Sequence, residues 1–322
     1  MGLKTSIIGA SGFTGGELLR LLVGHPVLEV DVVAAAASAG RRVPEVHPHL
    51  RGNVDHELVD IDSAVAERVD VCFSCLPRGA LPKYVDSIDA GLLVDLADDF
   101  RGAPEWTYAI PELNRETLPG ASRIANPGCY PTAVLLALVP FARAGVISSP
   151  IVVDALSGTS GAGRKSDDAL SLSAMSGDAR AYAEVPHRHV AEMERELGRL
   201  GDLDARISFT PHLIPISRGL LVTARAALGV QLDDGGALAI LESGYSREPL
   251  VDVLPDWPSI KAVAGSARAH VSARIDRDGG WLIASCAIDN LGKGAAAQAI
   301  QNVNVVSRVD ETAGLTGVGV WP

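Results

Sequence analysis

Long apolar stretches, basic charge and cysteine are all scarce in this sequence of 322 residues. No uninterrupted apolar run reaches the length that a membrane-spanning helix needs, so we expect no membrane partner. The first residues, MGLKTSIIGASG, enter a strand and a glycine loop directly, without the basic and apolar segments of a secretory signal peptide. These absences predict a cytoplasmic protein.

The shortage of basic residues and of cysteine excludes further classes of protein. Lys and Arg number 28 against 39 Asp and Glu, and the net charge of -11 disfavours nucleic acid as a partner. In the cytoplasm we expect the four cysteines, Cys72, Cys75, Cys129 and Cys286, to be reduced. No second Cys or His pair stands at ligand spacing, so no metal site is predicted.

The order of strands and helices predicts an α/β domain that is interrupted by an α+β domain. Short apolar strands separated by helical stretches indicate a doubly wound parallel sheet, and they lie at Ser6 to Gly9, Leu28 to Ala36, Val69 to Leu76 and Leu92 to Leu96. From about Ser149 longer strands predict a mixed or antiparallel sheet. A small-residue helix at Gly294 to Val305 then returns the chain to the first domain.

A glycine-rich loop joins the first strand to an amphipathic helix. Its pattern is GxxGxxG, and its candidate cofactor contacts are Gly9, Ser11, Gly12, Phe13, Thr14 and Gly15. Glycines there permit a tight turn and let a pyrophosphate approach the backbone at the helix N-terminus. The loop therefore predicts a dinucleotide site, the alternative being a plain turn between strand and helix.

The segment after the second strand favours NADP over NAD. An NAD site usually has an acid there that binds the ribose hydroxyls, and Ala36 to Arg42 contains none. Ser38 and Arg41 offer a hydroxyl and a guanidinium group for a 2′-phosphate instead. Arg42 could equally lie in a solvated basic loop.

Cys129 is the candidate nucleophile among the four cysteines. It follows the turn Asn126-Pro127-Gly128 at the start of a predicted helix. The helix dipole and unpaired amides at such a position stabilise a thiolate, and the same amides could hold an oxyanion. Cys72 and Cys75 have redox spacing but lie in a strand, so we expect no redox role for them.

A nucleophilic cysteine needs a partner that handles protons. His187 and His189 flank Arg188 in a predicted loop, just before an amphipathic helix at Val190 to Leu200. Three further histidines are predicted to lie on the surface, namely His47, His49 and His56. The guanidinium groups suited to binding carboxylate or phosphate belong to Arg101, Arg164, Arg180 and Arg218, each of which could instead form a surface ion pair.

Seven motifs follow one another along the chain. They are GASGFTGGELLRLLVGHP at 9–26, NPGCYPTA at 126–133, SGTSGAGR at 157–164, RAYAEVPHRH at 180–189, HLIPISRG at 212–219, AIDNLGKG at 287–294 and DETAGL at 310–315. Together they resemble the N-acetyl-gamma-glutamyl-phosphate reductases, a family of the semialdehyde dehydrogenase group. NPGCYPTA combined with HRH is the specific part of the resemblance.

The resemblance implies an NADPH-dependent acyl-phosphate reductase of arginine biosynthesis. The Cys129 thiolate would attack the small-molecule acyl phosphate and expel phosphate, and hydride transfer to the thioester would give N-acetylglutamate 5-semialdehyde. His189 would be the general acid and base, and His187 would bind the substrate. Pro77, Ser157, Gly158 and Asn290 join the cofactor contacts.

The resemblance also implies the domain organisation and a homo-oligomer, either a dimer or a tetramer. A Rossmann-like nucleotide-binding domain would comprise residues 1–145 and 290–322, around a substrate and dimerisation domain at 146–289. The rival interpretations are a lysine-pathway reductase of carrier-bound aminoadipyl phosphate, an aspartate-semialdehyde dehydrogenase, a cysteine hydrolase and a non-catalytic NADP-binding sensor. HRH and NPGCYPTA argue against the second, and the glycine loop argues against the third.

Overall fold

The computed structural model describes residues 2–164, 167–182 and 185–321. The chain forms two compact units, the first of Met1–Gly128 with Ala295–Thr316 and the second of Cys129–Gly294 with Gly317–Pro322. These boundaries differ from the predicted ones at 145 and 290, because the helix that begins at Cys129 contacts the strands of the second unit. Ala183 and Glu184 of the RAYAEVPHRH motif lie outside the described residues.

A six-stranded parallel sheet forms the centre of the first unit, which confirms the predicted fold class. Its strands are β1 (Leu3–Ile8), β2 (Leu28–Ala34), β3 (Val69–Ser74), β4 (Ala90–Asp95), β5 (Thr107–Tyr108) and β6 (Arg123–Ala125). Their order is β2-β1-β3-β4-β6-β5. Because β1 is the strand at which the connections change direction, a crevice for a ligand is expected beyond its carboxyl end. The loop that begins at Gly9 lies there.

The helices of the first unit are short apart from its first and last ones. They are α1 (Phe13–Leu22), α2 (Val43–Val46), α3 (Ile61–Val65), α4 (Pro111–Asn114) and α10 (Ala297–Val306). The predicted C-terminal helix is confirmed from Ala297 onward, after a π-helical turn at Gly292–Ala296. His47 follows α2 and is buried, so the predicted surface position is wrong for it, while His49 is exposed.

The second unit contains a seven-stranded mixed sheet, as predicted. Its strands are β7 (Ile147–Ser157), β8 (Arg180–Ala181), β9 (Ile207–Leu213), β10 (Leu220–Leu228), β11 (Val251–Val253), β12 (Ala269–Asp276) and β13 (Trp281–Ile288). They run in the order β11-β12-β13-β10-β7-β9-β8, and β7 pairs with β9 in parallel while its pairing with β10 is antiparallel. Ser157 and Leu220, which are paired residues, therefore lie at the same end of the sheet.

Helices cover one face of this sheet. The helices of the second unit are α5 (Cys129–Arg143), α6 (Leu172–Met175), α7 (His189–Gly201), α8 (Asp234–Tyr245) and α9 (Ile260–Val263). Side chains alternate between buried and half-buried along β10, the buried ones facing the helices. Helix α5 is buried from Tyr130 to Ala142. No helix among residues 2–164, 167–182 and 185–321 is long and apolar enough to cross a membrane.

Candidate active site

The glycine loop of the first unit is shaped by close backbone contacts. Gly9 has a φ of +81°, and a Cβ there would lie 2.6 Å from the carbonyl oxygen of Cys75. A Cβ at Gly15 would lie 2.6 Å from the Cα of Ala10. Only glycine fits either position, so the loop can pack tightly against the backbone that follows β3 and against the start of α1. The loop suits the pyrophosphate of a dinucleotide.

Arg41 and Arg42 both lie in the segment after β2, and they differ in how firmly each is paired with other groups. Arg42 donates to both carboxylate oxygens of Asp55, at 2.8 and 2.9 Å, and this pairing raises the pKa of Arg42. The guanidinium of Arg41 donates to the carbonyl of Glu45 at 3.0 Å, and its Nε lies 3.5 Å from the Glu45 carboxylate, a looser pairing than that of Arg42. Ser38 is half-buried. Of the two arginines, Arg41 is therefore the better candidate to reach a phosphate.

Pro77 lies in the loop that follows β3, beside the glycine loop. The backbone amide of Cys75 donates to the carbonyl of Ile8 at 2.8 Å, so the ends of β1 and β3 adjoin. Pro77 itself is exposed. The amide of Gly79 donates to both carboxylate oxygens of Asp99, which holds the loop in place.

Asn126 anchors the turn that leads to Cys129. It is fully buried, and its amide donates to the carbonyl of Asp95 at 2.8 Å. Its side chain donates to Ala295 at 3.2 Å and accepts from Asn302 at 3.2 Å. The Nε of Arg101 donates to its carbonyl at 2.9 Å. Arg101, a predicted substrate ligand, thus fixes the backbone three residues before Cys129.

Cys129 has the setting that a nucleophile needs, and the other cysteines do not. It is the first residue of α5 and is partly exposed. Burial raises the pKa of Cys72 to about 11 and also raises the pKa values of Cys75 and Cys286, which argues against the redox pair. A Cβ at Gly294 would lie 2.8 Å from the Cβ of Cys129, so the backbone of the π-helical turn lies directly against the Cys129 side chain.

His187 lies in a box of aromatic rings. The distances from its ring centroid are 4.9 Å to His189, 5.3 Å to Phe209, 5.9 Å to Tyr130 and 6.5 Å to Tyr182. Its Nδ1 accepts from the backbone amide of His189 at 3.1 Å, so the neutral ring carries its proton on Nε2. Burial, reinforced by the charge of Arg188, lowers the pKa of His187 and favours this neutral form.

His189 is buried at the first position of α7. Its ring centroid lies 6.0 Å from that of Tyr130. Both histidines that the sequence singled out therefore adjoin the residue that follows Cys129 in the chain. This neighbourhood lies within the second unit.

Two tyrosines belong to the same cluster, although the sequence assigned them no role. The hydroxyl groups of Tyr130 and Tyr182 are 2.8 Å apart, within hydrogen-bond distance. Burial raises the pKa of both, and the negative charge of a Cys129 thiolate raises them further. Both hydroxyls therefore stay protonated and can donate hydrogen bonds near Cys129. The position of Tyr130 directly after Cys129 was the one signal that could have indicated this.

The predicted cofactor contacts of the second unit are brought together by hydrogen bonds. Asn290 accepts from the amide of Gly219 at 2.7 Å and donates to the hydroxyl of Ser160 at 2.9 Å. The amide of Gly158 donates to the carbonyl of Gly219 at 2.9 Å. A Cβ at Gly158 would lie 2.9 Å from the backbone of Ser217 and Arg218. Ser157, which ends β7, precedes this cluster.

The remaining predicted arginines of the second unit occupy different settings. Arg218 donates to the buried carboxylate of Asp289 at 3.0 Å, and its side chain is 27% exposed. Arg180 contacts Asp178 at 3.1 Å and Met175 at 3.3 Å. Arg164 is exposed. The direction of Arg218 is therefore fixed by a buried acid.

Two sequence models of one family match the chain. The NAD binding domain of the semialdehyde dehydrogenases matches residues 4–121, and their dimerisation domain matches residues 129–290. Among solved structures, aspartate semialdehyde dehydrogenase II of Vibrio cholerae, complexed with ASA, has a TM-score of 0.79 at 16% identity, over 96% of this chain and 99% of that one. The enzyme of Candida albicans with NADP has a TM-score of 0.76 at 17% identity, over 95% and 99%. At these identities the likeness concerns the fold alone.

Curated relatives are more similar in sequence. The N-acetyl-gamma-glutamyl-phosphate reductase of Mycobacterium avium is 42% identical over 345 residues, which is 99% of each chain. Those of Salinispora arenicola and Corynebacterium glutamicum are 40% and 39% identical, over the full length of both chains. This chain is an oxidoreductase of the semialdehyde dehydrogenase family and belongs to its N-acetyl-gamma-glutamyl-phosphate reductases.

Proposed function

We propose that this chain reduces N-acetyl-gamma-glutamyl phosphate to N-acetylglutamate 5-semialdehyde with NADPH. The reaction would take place in the cytoplasm and serve arginine biosynthesis. The observation that carries the proposal is the setting of Cys129, a partly exposed thiol that begins a buried helix. His187 and His189 lie in the same unit, and both adjoin Tyr130. The names of the relatives supply the substrate.

The first step is acyl transfer to Cys129. His189 accepts the thiol proton, and the thiolate sulfur adds to the acyl carbon of the substrate. The carbon–oxygen bond to phosphate then breaks, and phosphate leaves with the electron pair and takes the proton from His189. A thioester remains on Cys129. Amides in the first turn of α5 stabilise the oxyanion, an effect typically of about 10²–10³ in rate.

The second step reduces the thioester. NADPH, when bound, supplies the hydride that adds to the thioester carbon. The carbonyl then re-forms, the carbon–sulfur bond breaks, and Cys129 leaves as a thiolate beside the protonated Tyr130 and Tyr182 hydroxyls. His189 returns a solvent proton to this thiolate, which completes the proton balance of the cycle.

The substrate would be held by His187 and by arginine side chains. Neutral His187 presents its Nε2 proton as a hydrogen-bond donor, which suits binding more than proton transfer. The guanidinium groups for carboxylate and phosphate are those of Arg101, Arg164, Arg180 and Arg218. Arg218 has a defined direction in the second unit, because its guanidinium contacts the buried carboxylate of Asp289.

The first unit would bind the dinucleotide, through the glycine loop, Pro77 and the segment with Ser38 and Arg41. The second would contribute Ser157, Gly158 and Asn290 on the nicotinamide side. The preference for NADPH over NADH can be tested with Arg41→Ala, which we expect to lower the ratio of the two kcat/KM values about tenfold, as the loss of a charged phosphate contact does. Arg42→Ala is the matched control, because Arg42 is about as exposed as Arg41 but donates two short hydrogen bonds to the Asp55 carboxylate. Equal effects of both variants would contradict the assignment.

A homo-oligomer, a dimer or a tetramer, is also part of the proposal. Along β7 and β10 the half-buried side chains alternate with the buried ones that face the helices. They include the ion pair of Asp154 and Arg225 and the apolar Leu156 and Leu221. The family match over residues 129–290 is to a dimerisation domain, which supports an interface on this face. Light scattering of the purified protein would measure the mass, and a monomer at micromolar concentration would contradict this part.

The reverse reaction tests substrate, cofactor and nucleophile together. N-acetylglutamate semialdehyde, NADP and phosphate should yield NADPH, and a thiol alkylator should abolish the signal. NADPH formation only from the carrier-bound aminoadipate semialdehyde would favour the lysine-pathway alternative. Binding of NADPH without turnover of either substrate would favour a sensor.

A further inference from the structure

His47 is a buried histidine that contacts the glycine loop from outside it. Only 2% of its surface is exposed, and its Nε2 lies 2.8 Å from the carbonyl oxygen of Ala10. A carbonyl can only accept, so Nε2 carries the proton and donates it. Ala10 follows Gly9 in the loop, and thus an imidazole fixes the backbone of the predicted pyrophosphate site.

The ring of His47 also fills a space that α1 leaves for it. A Cβ at Gly16 would lie 2.5 Å from Cε1 and 2.6 Å from Nδ1 of the imidazole. Gly16 is therefore required by the histidine rather than by the turn of the loop. His47 contacts both the loop and the helix whose N-terminal amides would face the proposed pyrophosphate.

The same residue ends the segment that carries Arg41. The backbone amide of His47 donates to the carbonyl of Val43 at 2.7 Å, which closes the single turn of α2. The guanidinium of Arg41 donates to the carbonyl of Glu45 in that turn at 3.0 Å. One short helix thus connects the arginine assigned to the 2′-phosphate with the histidine that holds the glycine loop.

We propose that His47 is a positioning residue for the dinucleotide, fixing the glycine loop relative to the segment with Arg41. The inference rests on the proposed NADPH binding and extends it to a residue that touches neither phosphate. Without the imidazole the carbonyl of Ala10 loses its donor, and the two parts of the site can shift independently. A preorganised site binds more tightly because less order is lost on binding. The effect belongs to cofactor affinity and selectivity, and the chemical step at Cys129 is unchanged.

The test compares His47→Leu, which removes the donor, with His47→Gln, whose amide can still donate. We expect His47→Leu to raise the Kd of NADPH, measured by fluorescence titration, about tenfold and to lower the NADPH/NADH preference, with kcat within about twofold of the unaltered enzyme. His47→Gln should recover part of both losses. His56→Gln is the matched control, since the half-buried His56 also contacts a backbone carbonyl through Nε2, that of Val30 at 3.2 Å. A merely structural role would lower Tm without changing the preference.

Gly16→Ala provides a second variant that leaves the histidine in the sequence. Its Cβ should displace the imidazole and raise the Kd of NADPH, whereas in the His47→Ala background the same change should add no further loss. An unchanged Kd and preference in both His47→Leu and Gly16→Ala would overturn the inference. If the unaltered protein binds neither nucleotide, the proposed function is itself wrong, and the two failures are thereby distinguished.

Discussion

The glycine loop of the first unit and the histidine cluster of the second are built in opposite ways. The loop depends on missing side-chain atoms, because a Cβ at Gly9 or Gly15 would collide with backbone. The cluster depends on large side chains, with the rings of Tyr130, Phe209 and His187 in contact. Substitutions that add atoms should therefore impair the glycine loop, and substitutions that remove atoms should impair the histidine cluster.

Substitution of the proposed nucleophile should have the largest effect, and it tests whether residues of the second unit alone carry out the chemistry. Cys129→Ser should lower kcat by at least about 10³-fold, the scale on which loss of a nucleophile acts. The Kd of NADPH should stay within about twofold, since the loop is untouched. Stopped-flow turnover and fluorescence titration would measure the two. Near-normal turnover would show that no thioester forms.

An added methyl group in the loop should give the next largest effect. Gly9→Ala meets both a positive φ, which costs roughly 1–2 kcal/mol for a residue with a side chain, and the collision with Cys75. Gly24→Ala is the control, because Gly24 has a φ of +78° but no atom within 4 Å of its Cβ position. We expect NADPH affinity to fall by more than about tenfold in the first variant only. Similar NADPH affinities of the two variants would mean that the loop accommodates the added methyl group at position 9.

A removed hydroxyl in the cluster should have a smaller effect on catalysis. Tyr182→Phe takes away the partner of Tyr130, and a hydrogen bond of about 1 kcal/mol corresponds to a fall in kcat of roughly fivefold. When Tyr182→Phe is combined with Tyr130→Phe, the free-energy cost to kcat should be smaller than the sum of the costs in the two single variants. Tyr245→Phe, which breaks a 2.6 Å bond to the carbonyl of Leu136, should lower stability alone. A kcat equally low in Tyr245→Phe would mean that the tyrosines act only through packing.

The smallest expected effect is a decrease in the free energy of unfolding at low pH, to which histidines of both units contribute. Burial lowers the pKa values of His25 in the first unit and of His187 and His270 in the second below the ordinary 6.5. As the pH falls through 6.5 the unfolded chain takes up protons first, so the free energy of unfolding decreases until the folded histidines are also protonated. Urea unfolding from about pH 7 to about pH 5.5 should show this loss. His270→Gln should reduce the slope, and an unchanged slope would exclude His270 as a contributor.

Sequence patterns predicted the elements that have strong periodicity or a clear start. Strands β1 to β4, helix α7 and the start of helix α5 were expected within a few residues of their observed positions. Strands β5 and β8 have only two residues each, too few to produce a pattern. The glycine loop was found because its constraints are local, in consecutive residues.

Contacts between distant residues were beyond prediction. The surface position expected for His47 was wrong because its partners, Ala10 and Gly16, lie in a different element of the fold. The partner of Tyr130 is Tyr182, which no spacing rule connects with it. The helix that begins at Cys129 could be predicted because neighbouring residues indicate its start, whereas the side chains around Cys129 could not be predicted.

The glycine at 294 has a consequence for protein engineering. Because Gly294 has no side chain, its backbone can lie against Cys129. The two positions are far apart in the sequence, but any library must consider them together. Saturating position 294 would return almost entirely inactive clones and so reveal nothing about the tolerance of its surroundings. A library that seeks new acyl substrates should hold this pair constant and place its diversity at the aromatic positions instead.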